Sequence, residues 1–481
     1  MVFSKITLNL FNKQNCKYVW WLCRTMSSGS SQIWRRRSGT AWIRAGLVIF
    51  ILVFIWIQMT FLSFAGSSPQ YSELNDSNAA ILSMVPAVLH KFLSPRPKNL
   101  STITFANGSF SKFISTDVLN ISEIKRNIAQ YNRQQIVYNE NIFEPLQNDS
   151  IVILVQIHDR ITYLRHLIVS LAQAPGISQT LLIFSHDYYD EEMNNLVRSI
   201  DFCKVVQIFY PYSIQTHPYE FPGEDPGDCP RNIKKDLALR KKCNNALYPD
   251  VYGHYREAKF TQTKHHWWWK ANRVFSDLEV TRNHTGLVVL LEEDHYVAED
   301  FIHLLRLMER TYKESCKHCN ILSLGTYLKT YNYYADSKKV EISPWISSKH
   351  NMGMAFNRST WMEIVDCASH FCKYDDYNWD WSLQHVSQNC LKDKLHAMVA
   401  RAPRVFHIGE CGVHHKKKDC QATAMISKVQ QVLKNAKKHF YPDYLILTYS
   451  TALKKTKLRK GNGGWGDRRD HKLCIGMTIG G

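Results

Sequence analysis

The sequence lacks the motifs that would tie its strong positive charge to nucleic acid. Its 481 residues carry a formal charge of +18, but they contain no zinc-finger spacing, no basic zipper and no aromatic RNA-binding signature. The basic residues are dispersed in patches such as HHKKKDC and KKTKLRK, which are typical of solvated surfaces. We therefore expect no nucleic-acid partner, while an acidic small substrate or an anionic membrane surface remains compatible with the charge.

Two further absences limit the chemistry and the architecture. No HExxH motif is present, which excludes a metalloprotease of that type. No internal repeat or heptad array competes with a globular fold. With 45% apolar residues the chain can bury a large core, and composition alone would permit two or three domains.

Residues 45–65 contain no charged side chain and match the roughly 20 residues that a membrane-spanning helix requires. The charges nearest to this run are Arg35, Arg36, Arg37 and Arg44 before it and Glu73 after it. The positive-inside rule then predicts a cytosolic tail over 1–44 and a signal anchor over 45–65, as in a single-pass type II protein. A cleaved signal peptide is the alternative, although its apolar region is usually shorter, and Met26 is a second candidate start.

Every Asn-X-Ser/Thr sequon follows this apolar run, which agrees with a lumenal body. The glycosylation candidates are Asn75, Asn99, Asn107, Asn120, Asn148, Asn283 and Asn357. Of the 13 cysteines, only Cys16 and Cys23 precede the run, so the others can form disulfides in an oxidising compartment. Their odd number leaves one over, and Cys203, at the start of an apolar stretch, is our candidate for a buried free thiol.

The character of the chain changes after a segment rich in Ser, Asn and Pro, residues 66–130, which we interpret as a lumenal stem. The remaining residues, 131–481, contain the apolar runs IVILVQI, TLLIF, KVVQIFY and GLVVLL, with helix-compatible segments between them. Leu164, Leu167, Ile168 and Leu171 mark one face of such a helix. This alternation predicts an α/β fold with a mainly parallel sheet covered by helices.

Polar side chains follow three of these runs directly. IVILVQI is followed by His158, Asp159 and Arg160, TLLIF by Ser185, His186 and Asp187, and GLVVLL by Glu292, Glu293, Asp294 and His295. Ligands bind outside the carboxyl ends of strands in open α/β sheets, so we expect the three groups to form one crevice. Three unrelated solvated turns are the alternative interpretation.

The acidic group after GLVVLL suggests a metal-bound diphosphate. Ionised groups are costly to bury unless they are paired or coordinate a metal, and carboxylate oxygens suit hard divalent ions that also bind diphosphates. We expect Asp294 to hold the metal and the neighbouring glutamates to position a sugar or the metal's waters. The basic stretch QTKHHWWWK, residues 262–270, offers cations for phosphate, although at least one of its tryptophans should pack in the core.

Longer segments carry a specific resemblance. LLEEDH, HYREAKFTQTKHHWWWK, ILSLGTY, HNMGMAF, YDDYNWDW, RVFHIGECGVHHKK and NGGWGDRRDHKLC, in this order, resemble the N-acetylglucosaminyltransferase II family over about residues 130–475. The resemblance implies a Golgi glycosyltransferase with a GT-A fold, a Rossmann-like mixed sheet and a single lumenal catalytic domain. The implied reaction is inverting transfer of GlcNAc from UDP-GlcNAc to the 2-hydroxyl of the α1,6-arm mannose of an N-glycan. The implied partners are that donor, the glycan on its glycoprotein and the Golgi membrane, and a homodimer is left open.

The family's functional residues transfer to named positions. The resemblance implies that Asp380 is the catalytic base and that Asp294 and His407 bind Mn²⁺, although a core histidine is the alternative for His407. The implied nucleotide-sugar contacts are Gln156, Ile157, His158, Asp159, Arg160, Asp187, Gln262, Thr263, Lys264, His265, His266 and Glu293. The implied acceptor contacts are Tyr327, Asn351 and Trp379. Asp159 departs from the asparagine expected there, which puts a side-chain contact at that position in doubt.

The resemblance also implies a disulfide pattern and leaves two alternatives open. The implied pairs are Cys229–Cys243, Cys316–Cys319, Cys367–Cys390, Cys372–Cys474 and Cys411–Cys420, with Cys203 left over. A non-catalytic lumenal glycan-binding protein of the same fold is one alternative, against which the joint retention of Asp294, His407 and Asp380 argues. A related GlcNAc-transferase with another acceptor is the other.

Overall fold

The computed structural model of the protein describes residues 81–94, 120–327, 330–409, 422–450 and 461–478, all within one unit, Leu74–Gly481. The strands are β1 Val137–Tyr138, β2 Val152–Ile157, β3 Leu181–His186, β4 Lys204–Phe209, β5 Val288–Glu292, β6 His295–Val297, β7 Ile321–Ser323, β8 Lys339–Pro344, β9 Met354–Phe356, β10 His396–Ala400, β11 Val405–His407 and β12 Ile446–Tyr449. The α-helices are α1 His90–Leu93, α2 Ile121–Gln134, α3 Ile161–Ala172, α4 Glu191–Arg198, α5 Lys235–Lys241, α6 Ala258–Asn272, α7 Phe301–Ser315, α8 Tyr333–Asp336, α9 Ser347–His350, α10 Arg358–Asp366, α11 Ala368–Lys373, α12 Trp379–Asn389, α13 Ala422–Ala436 and α14 Arg468–Gly476.

One large mixed sheet organises these elements. Its strand order is β1-β4-β3-β2-β5-β9-β7-β10-β8-β12. The four adjacent strands β4, β3, β2 and β5 are parallel, whereas β9 pairs antiparallel with both β5 and β7. A separate ribbon pairs β6 with β11 antiparallel. The predicted α/β class and all four predicted apolar strands are confirmed.

Helices cover both faces of the sheet, which explains why its parallel strands β4, β3, β2 and β5 are mainly apolar. Along β2, Ile153 and Val155 belong to a core on one face with Leu164 and Leu167 of α3. Their neighbours Val152 and Leu154 belong to the core on the other face. Alternate residues of a strand point to opposite faces, so both sets of side chains in β2 are covered, and most of them are apolar.

The core on that second face contains the tryptophans of α6. Trp267 and Trp268 are 1% and 0% exposed, which confirms that part of QTKHHWWWK is a core segment. Trp267 stacks on Trp379 of α12 at a ring-centroid distance of 4.5 Å. This contact fixes α12, which contains Asp380, against the sheet.

Two segments within the range assigned to the stem pack on the folded body. Phe92, near the end of α1, is 1% exposed, and its carbonyl accepts a hydrogen bond of 2.9 Å from Arg165 of α3. Helix α2 crosses the boundary placed at residue 130 and buries Ile124 and Ile128 against Phe209 of β4. Both segments thus bury a few large apolar side chains within the range that the sequence analysis assigned to the stem.

Four of the implied disulfides are present: Cys229–Cys243, Cys316–Cys319, Cys367–Cys390 and Cys372–Cys474. Cys203 is a buried free cysteine, as predicted. Cys411–Cys420, the tail, the anchor at 45–65 and the sequons at Asn75, Asn99 and Asn107 lie outside the described residues. Within the part of the chain that is described, no helix has the length and apolarity needed to cross a membrane.

Candidate active site

The three polar groups that follow the strands converge at one edge of the sheet. β3, β2 and β5 are adjacent and parallel, so the residues after them meet at their shared carboxyl ends. Glu293 accepts hydrogen bonds from the backbone N–H groups of His158 and Arg160 at 2.9 and 3.3 Å. The polar residues that follow these strands therefore lie together, as predicted.

Arg160 is the partner of the buried acidic pair. Its Nε donates to Glu293 Oε1 and its Nη1 to Asp294 Oδ2, each at 2.7 Å. Glu293 and Asp294 are 1% and 2% exposed, so each would be strongly destabilised as an anion without a cation beside it. Burial raises the pKa of Glu293. The pKa of Asp294 is lowered, because hydrogen bonding and the charges of His407 and Arg160 outweigh its burial.

His407 approaches Asp294 from the small ribbon. Its Nε2 lies 3.1 Å from Asp294 Oδ2, and the pairing of β11 with β6 places it opposite His295. Burial alone would lower the pKa of His407, but the carboxylate of Asp294 raises it overall. The chain two residues after His407 also passes close to Asp294. Only glycine fits there, since a Cβ on Gly409 would lie 2.2 Å from Asp294 Oδ2.

The donor set at this position fits a divalent cation. Asp294 Oδ1 is buried and has no hydrogen-bond partner within the described part of the chain. Glu292, Asp294 and His295 offer ligand atoms that all lie within 4.8 Å of one another, and His407 adds an imidazole. Carboxylate oxygens suit hard divalent ions such as manganese, and one imidazole among them is acceptable. His295 was not among the predicted ligands; its spacing of three residues from Glu292 was the available signal.

Asp187 organises a second cluster, on the side of β3. Its Oδ1 lies 2.6 Å from His158 Nδ1, and its Oδ2 lies 3.3 Å from His266 Nδ1. Ser185 Oγ bonds the other nitrogen of His266 at 2.7 Å. Burial alone would lower the pKa of His158, but the hydrogen bond with Asp187 raises it to about 9. A positive imidazolium with a half-exposed ring therefore lies beside the acidic pair.

The remaining predicted nucleotide-sugar contacts do not all lie in these two clusters. Gln262 accepts from the backbone N–H of Ile214 at 2.6 Å, and His265 bonds Asp470 at 2.9 Å in the buried core. Lys264 donates to two backbone carbonyls of the loop before α12. Thr263 and Gln156 are half-buried, Ile157 is buried within β2, and the Asp159 side chain is exposed. The structure thus places His266 with Asp187 but gives Lys264 and His265 contacts elsewhere.

Asp380 lies on α12, in a half-buried position next to predicted acceptor contacts. Asn351 Nδ2 donates to Asp380 Oδ2 at 3.3 Å, and Tyr327, a residue that is 52% exposed, lies close enough that the charge of Asp380 adds to the rise that burial causes in its pKa. Burial raises the pKa of Asp380 to about 7 against a hydrogen bond from the Trp381 backbone, and the negative charge of Glu292 adds to the rise. Asp380, Asn351 and Tyr327 are therefore close together, and the charge of Glu292 at the end of β5 reaches Asp380.

Comparison with known proteins identifies the family. The family model for N-acetylglucosaminyltransferase II (MGAT2) matches residues 125–474. The chain belongs to the N-acetylglucosaminyltransferase II family. The matched range includes the strand ends that form the two clusters and the whole of α12.

Relatives named alpha-1,6-mannosyl-glycoprotein 2-beta-N-acetylglucosaminyltransferase are similar over most of the chain. The rat protein is 45% identical over 71% of this chain and 79% of its own length. The human protein is 43% identical over 71% of this chain and 78% of its own. The Arabidopsis thaliana protein is 34% identical over 70% and 76%. The similarity therefore extends from animals to a plant.

The raised pKa of Asp380 predicts a dependence of stability on pH. Between its ordinary pKa of 3.8 and its folded pKa of about 7, the folded chain binds more protons than the unfolded chain, so this residue's contribution to stability falls as pH rises. Asp380→Asn should therefore stabilise the full chain more at pH 8 than at pH 5, in urea unfolding without added metal. Asp443→Asn, at an exposed site, is the control. A destabilisation by Asp380→Asn that grows with pH would contradict a raised pKa at this residue.

Proposed function

We propose that this chain is an inverting glycosyltransferase that moves GlcNAc from UDP-GlcNAc to the 2-hydroxyl of the α1,6-arm mannose of N-glycans. Its family membership supports the reaction. In this proposal Asp380 accepts the proton of the mannose hydroxyl, and Asp294 with His407 holds Mn²⁺. This step leads toward complex N-glycans.

The observation that carries the assignment is that two aspartates of the site have opposite protonation properties. Asp294 is held ionised by Arg160 and His407, as a metal ligand must be. Asp380 has a pKa of about 7, so it can accept a proton at neutral pH. Inversion by direct displacement needs one such base and no covalent enzyme intermediate.

The chain's own residues supply the remaining functions. Asn351 orients the Asp380 carboxylate through its 3.3 Å hydrogen bond, and Tyr327 offers an exposed hydroxyl to the acceptor sugar. The cationic His158 and Arg160 lie where the donor diphosphate would bind, at the ends of parallel strands. Bound Mn²⁺ would act as a Lewis acid toward the departing diphosphate. Trp379 is 8% exposed and stacked on Trp267, which makes it a support for α12.

We further propose a Golgi location, with a GT-A catalytic domain in the lumen behind a type II signal anchor at residues 45–65. The supporting observations are the uncharged run with arginines before it and sequons only after it. The four disulfides also suit an oxidising compartment.

This topology predicts which part of the chain is accessible from the cytosol. Protease added to intact Golgi vesicles should remove only residues before about position 44, since the membrane protects the rest of the chain. Immunoblotting with antibodies against the tail and against the catalytic body measures both ends. Detergent-opened vesicles are the control, and loss of the catalytic body in sealed vesicles would refute the topology.

The base assignment predicts that chemistry and donor binding respond separately to mutation. Asp380→Asn should lower turnover of a mannose-terminated N-glycan by about 10² to 10⁴, the usual cost of losing a general base, and leave UDP affinity unchanged. In the wild type, kcat/KM should fall as pH drops through about 7, because the base becomes protonated. Near wild-type turnover of well-folded Asp380→Asn would direct the search to Glu293. Locating the added sugar on a defined glycan distinguishes a transferase with another acceptor.

The metal assignment predicts a different pattern. Asp294→Asn and His407→Ala should each weaken the Mn²⁺-dependent part of UDP binding, because each removes a ligand, and chelation should abolish transfer. Calorimetric titration of the full chain with UDP, with and without Mn²⁺, measures this directly. Asp380→Asn is the matched control and should keep the manganese dependence. Unchanged dependence in both ligand variants would rule out these residues as ligands.

A further inference from the structure

We infer that Asp376 is a positioning residue for the base: its buried carboxylate clamps the first turn of α12 to the C-terminal segment and so fixes the Asp380 side chain. The inference rests on the proposed role of Asp380. The clamp consists of Asp376, Asn378, Asn462 and the backbone of the loop before α12.

The carboxylate of Asp376 is fully enclosed by N–H donors. Its Oδ1 accepts from the backbone and the side chain of Asn378, both at 2.9 Å. Its Oδ2 accepts from the backbone and the side chain of Asn462 at 2.8 and 2.9 Å. Asp376 is 0% exposed, and within the described residues it forms no ion pair. Four N–H donors therefore satisfy both oxygens of this buried carboxylate.

Each side of this clamp has a defined place. Asn378 is the N-cap residue of α12, two residues before Asp380, so the Oδ1 bonds fix the point at which the helix begins. Asn462 belongs to the segment after residue 460, which Cys372–Cys474 links to the end of α11. The carboxylate therefore connects the start of the catalytic helix to a part of the chain that is remote in sequence.

Lys264 supports the same loop from α6. Its Nζ donates to the carbonyls of Tyr374 and Asp376 at 3.1 and 2.9 Å and lies 4.1 Å from the centre of the Trp465 ring. Lys264 is 0% exposed, so it cannot reach a ligand in solvent. Its geometry is that of a support for the loop that contains Asp376.

The position of Asp376 also affects Asp380 electrostatically. The charged groups that act most strongly on Asp380 are Asp376 on the preceding loop and Glu292 at the end of β5, and Asp380 in turn acts on Tyr327 after β7. The charge of Asp376 helps to raise the pKa of Asp380. Removing that charge should lower the pKa of the base, a change that loss of folding stability alone would not produce.

A neighbouring carboxylate offers a matched control. Asp375 accepts from the backbone N–H groups of Val251 and Trp465 at 2.6 and 3.0 Å, and none of these bonds reaches α12. Asp375→Asn removes one charge from the same loop, as Asp376→Asn does. Asn462 is exposed, and Asn462→Ala removes only its side-chain bond to Asp376. This variant should therefore fold even if Asp376→Asn does not.

The test measures four quantities on the full chain: turnover, KM for UDP-GlcNAc, the melting temperature and the acid limb of kcat/KM, which is the fall of kcat/KM on the acid side of its pH profile. The five proteins compared are wild type, Asp380→Asn, Asp376→Asn, Asn462→Ala and Asp375→Asn. Asp376→Asn should lose about tenfold to a hundredfold in kcat, the cost of displacing a catalytic group by about 1 Å. Its KM for UDP-GlcNAc should stay near wild type, and its acid limb should move to lower pH. Asn462→Ala should lose less kcat, and Asp375→Asn should keep both kcat and the acid limb.

The other outcomes separate two kinds of failure. Wild-type turnover in Asp380→Asn would refute the proposed base. If Asp380→Asn is inactive while Asp376→Asn and Asn462→Ala keep wild-type kcat, the positioning role alone is refuted. Equal losses in Asp376→Asn and Asp375→Asn without a shift of the acid limb would show that both carboxylates only stabilise the fold, and would also overturn the inference.

Discussion

The guanidinium of Arg160 is the constraint on which the acidic edge depends. Two carboxylates that are each almost fully buried follow β5, and their mutual repulsion would favour protonation of one of them. The planar fork of arginine bonds Glu293 and Asp294 at the same time, at 2.7 Å each, which a lysine ammonium could not do with the same geometry. Asp294 therefore remains ionised, and its second oxygen is left without a protein partner in the described structure.

Helix α6 connects this edge to the base. His266 contacts Asp187 at the ends of the parallel strands, Trp267 stacks on Trp379, and Lys264 supports the loop before α12. Successive helical residues are rotated by about 100°. One short stretch of α6 can therefore contact Asp187, the hydrophobic core and the loop before α12. The relative position of Asp294 and Asp380 thus depends on a helix that is largely buried.

Strand ends and helical stretches differ in how well their site residues could be predicted from the sequence. The ends of adjacent parallel strands share an edge, so His158, Asp187 and Asp294 could be assigned to one crevice from the order of the apolar runs. A contiguous stretch such as QTKHH cannot be divided in this way, because residue type does not reveal the direction of each side chain. Lys264 and His265 resemble phosphate contacts in sequence, yet their partners are a distant loop and Asp470. Those partners are set by tertiary packing, as are the contacts of Phe92 within the range assigned to the stem.

Asp294 and Asp380 show how one fold gives two aspartates opposite properties. Cations beside Asp294 lower its pKa despite burial, whereas Asp380 has a neutral amide as its side-chain partner and carboxylates nearby, and its pKa is raised. Environments that separate the pKa values of two acids usually mark different chemical roles. A permanently charged carboxylate is a poor proton acceptor but a good metal ligand. A carboxylate that is easily protonated has the reverse properties. The proposed metal ligand and base therefore cannot exchange roles, because each depends on charges that its own neighbouring elements supply.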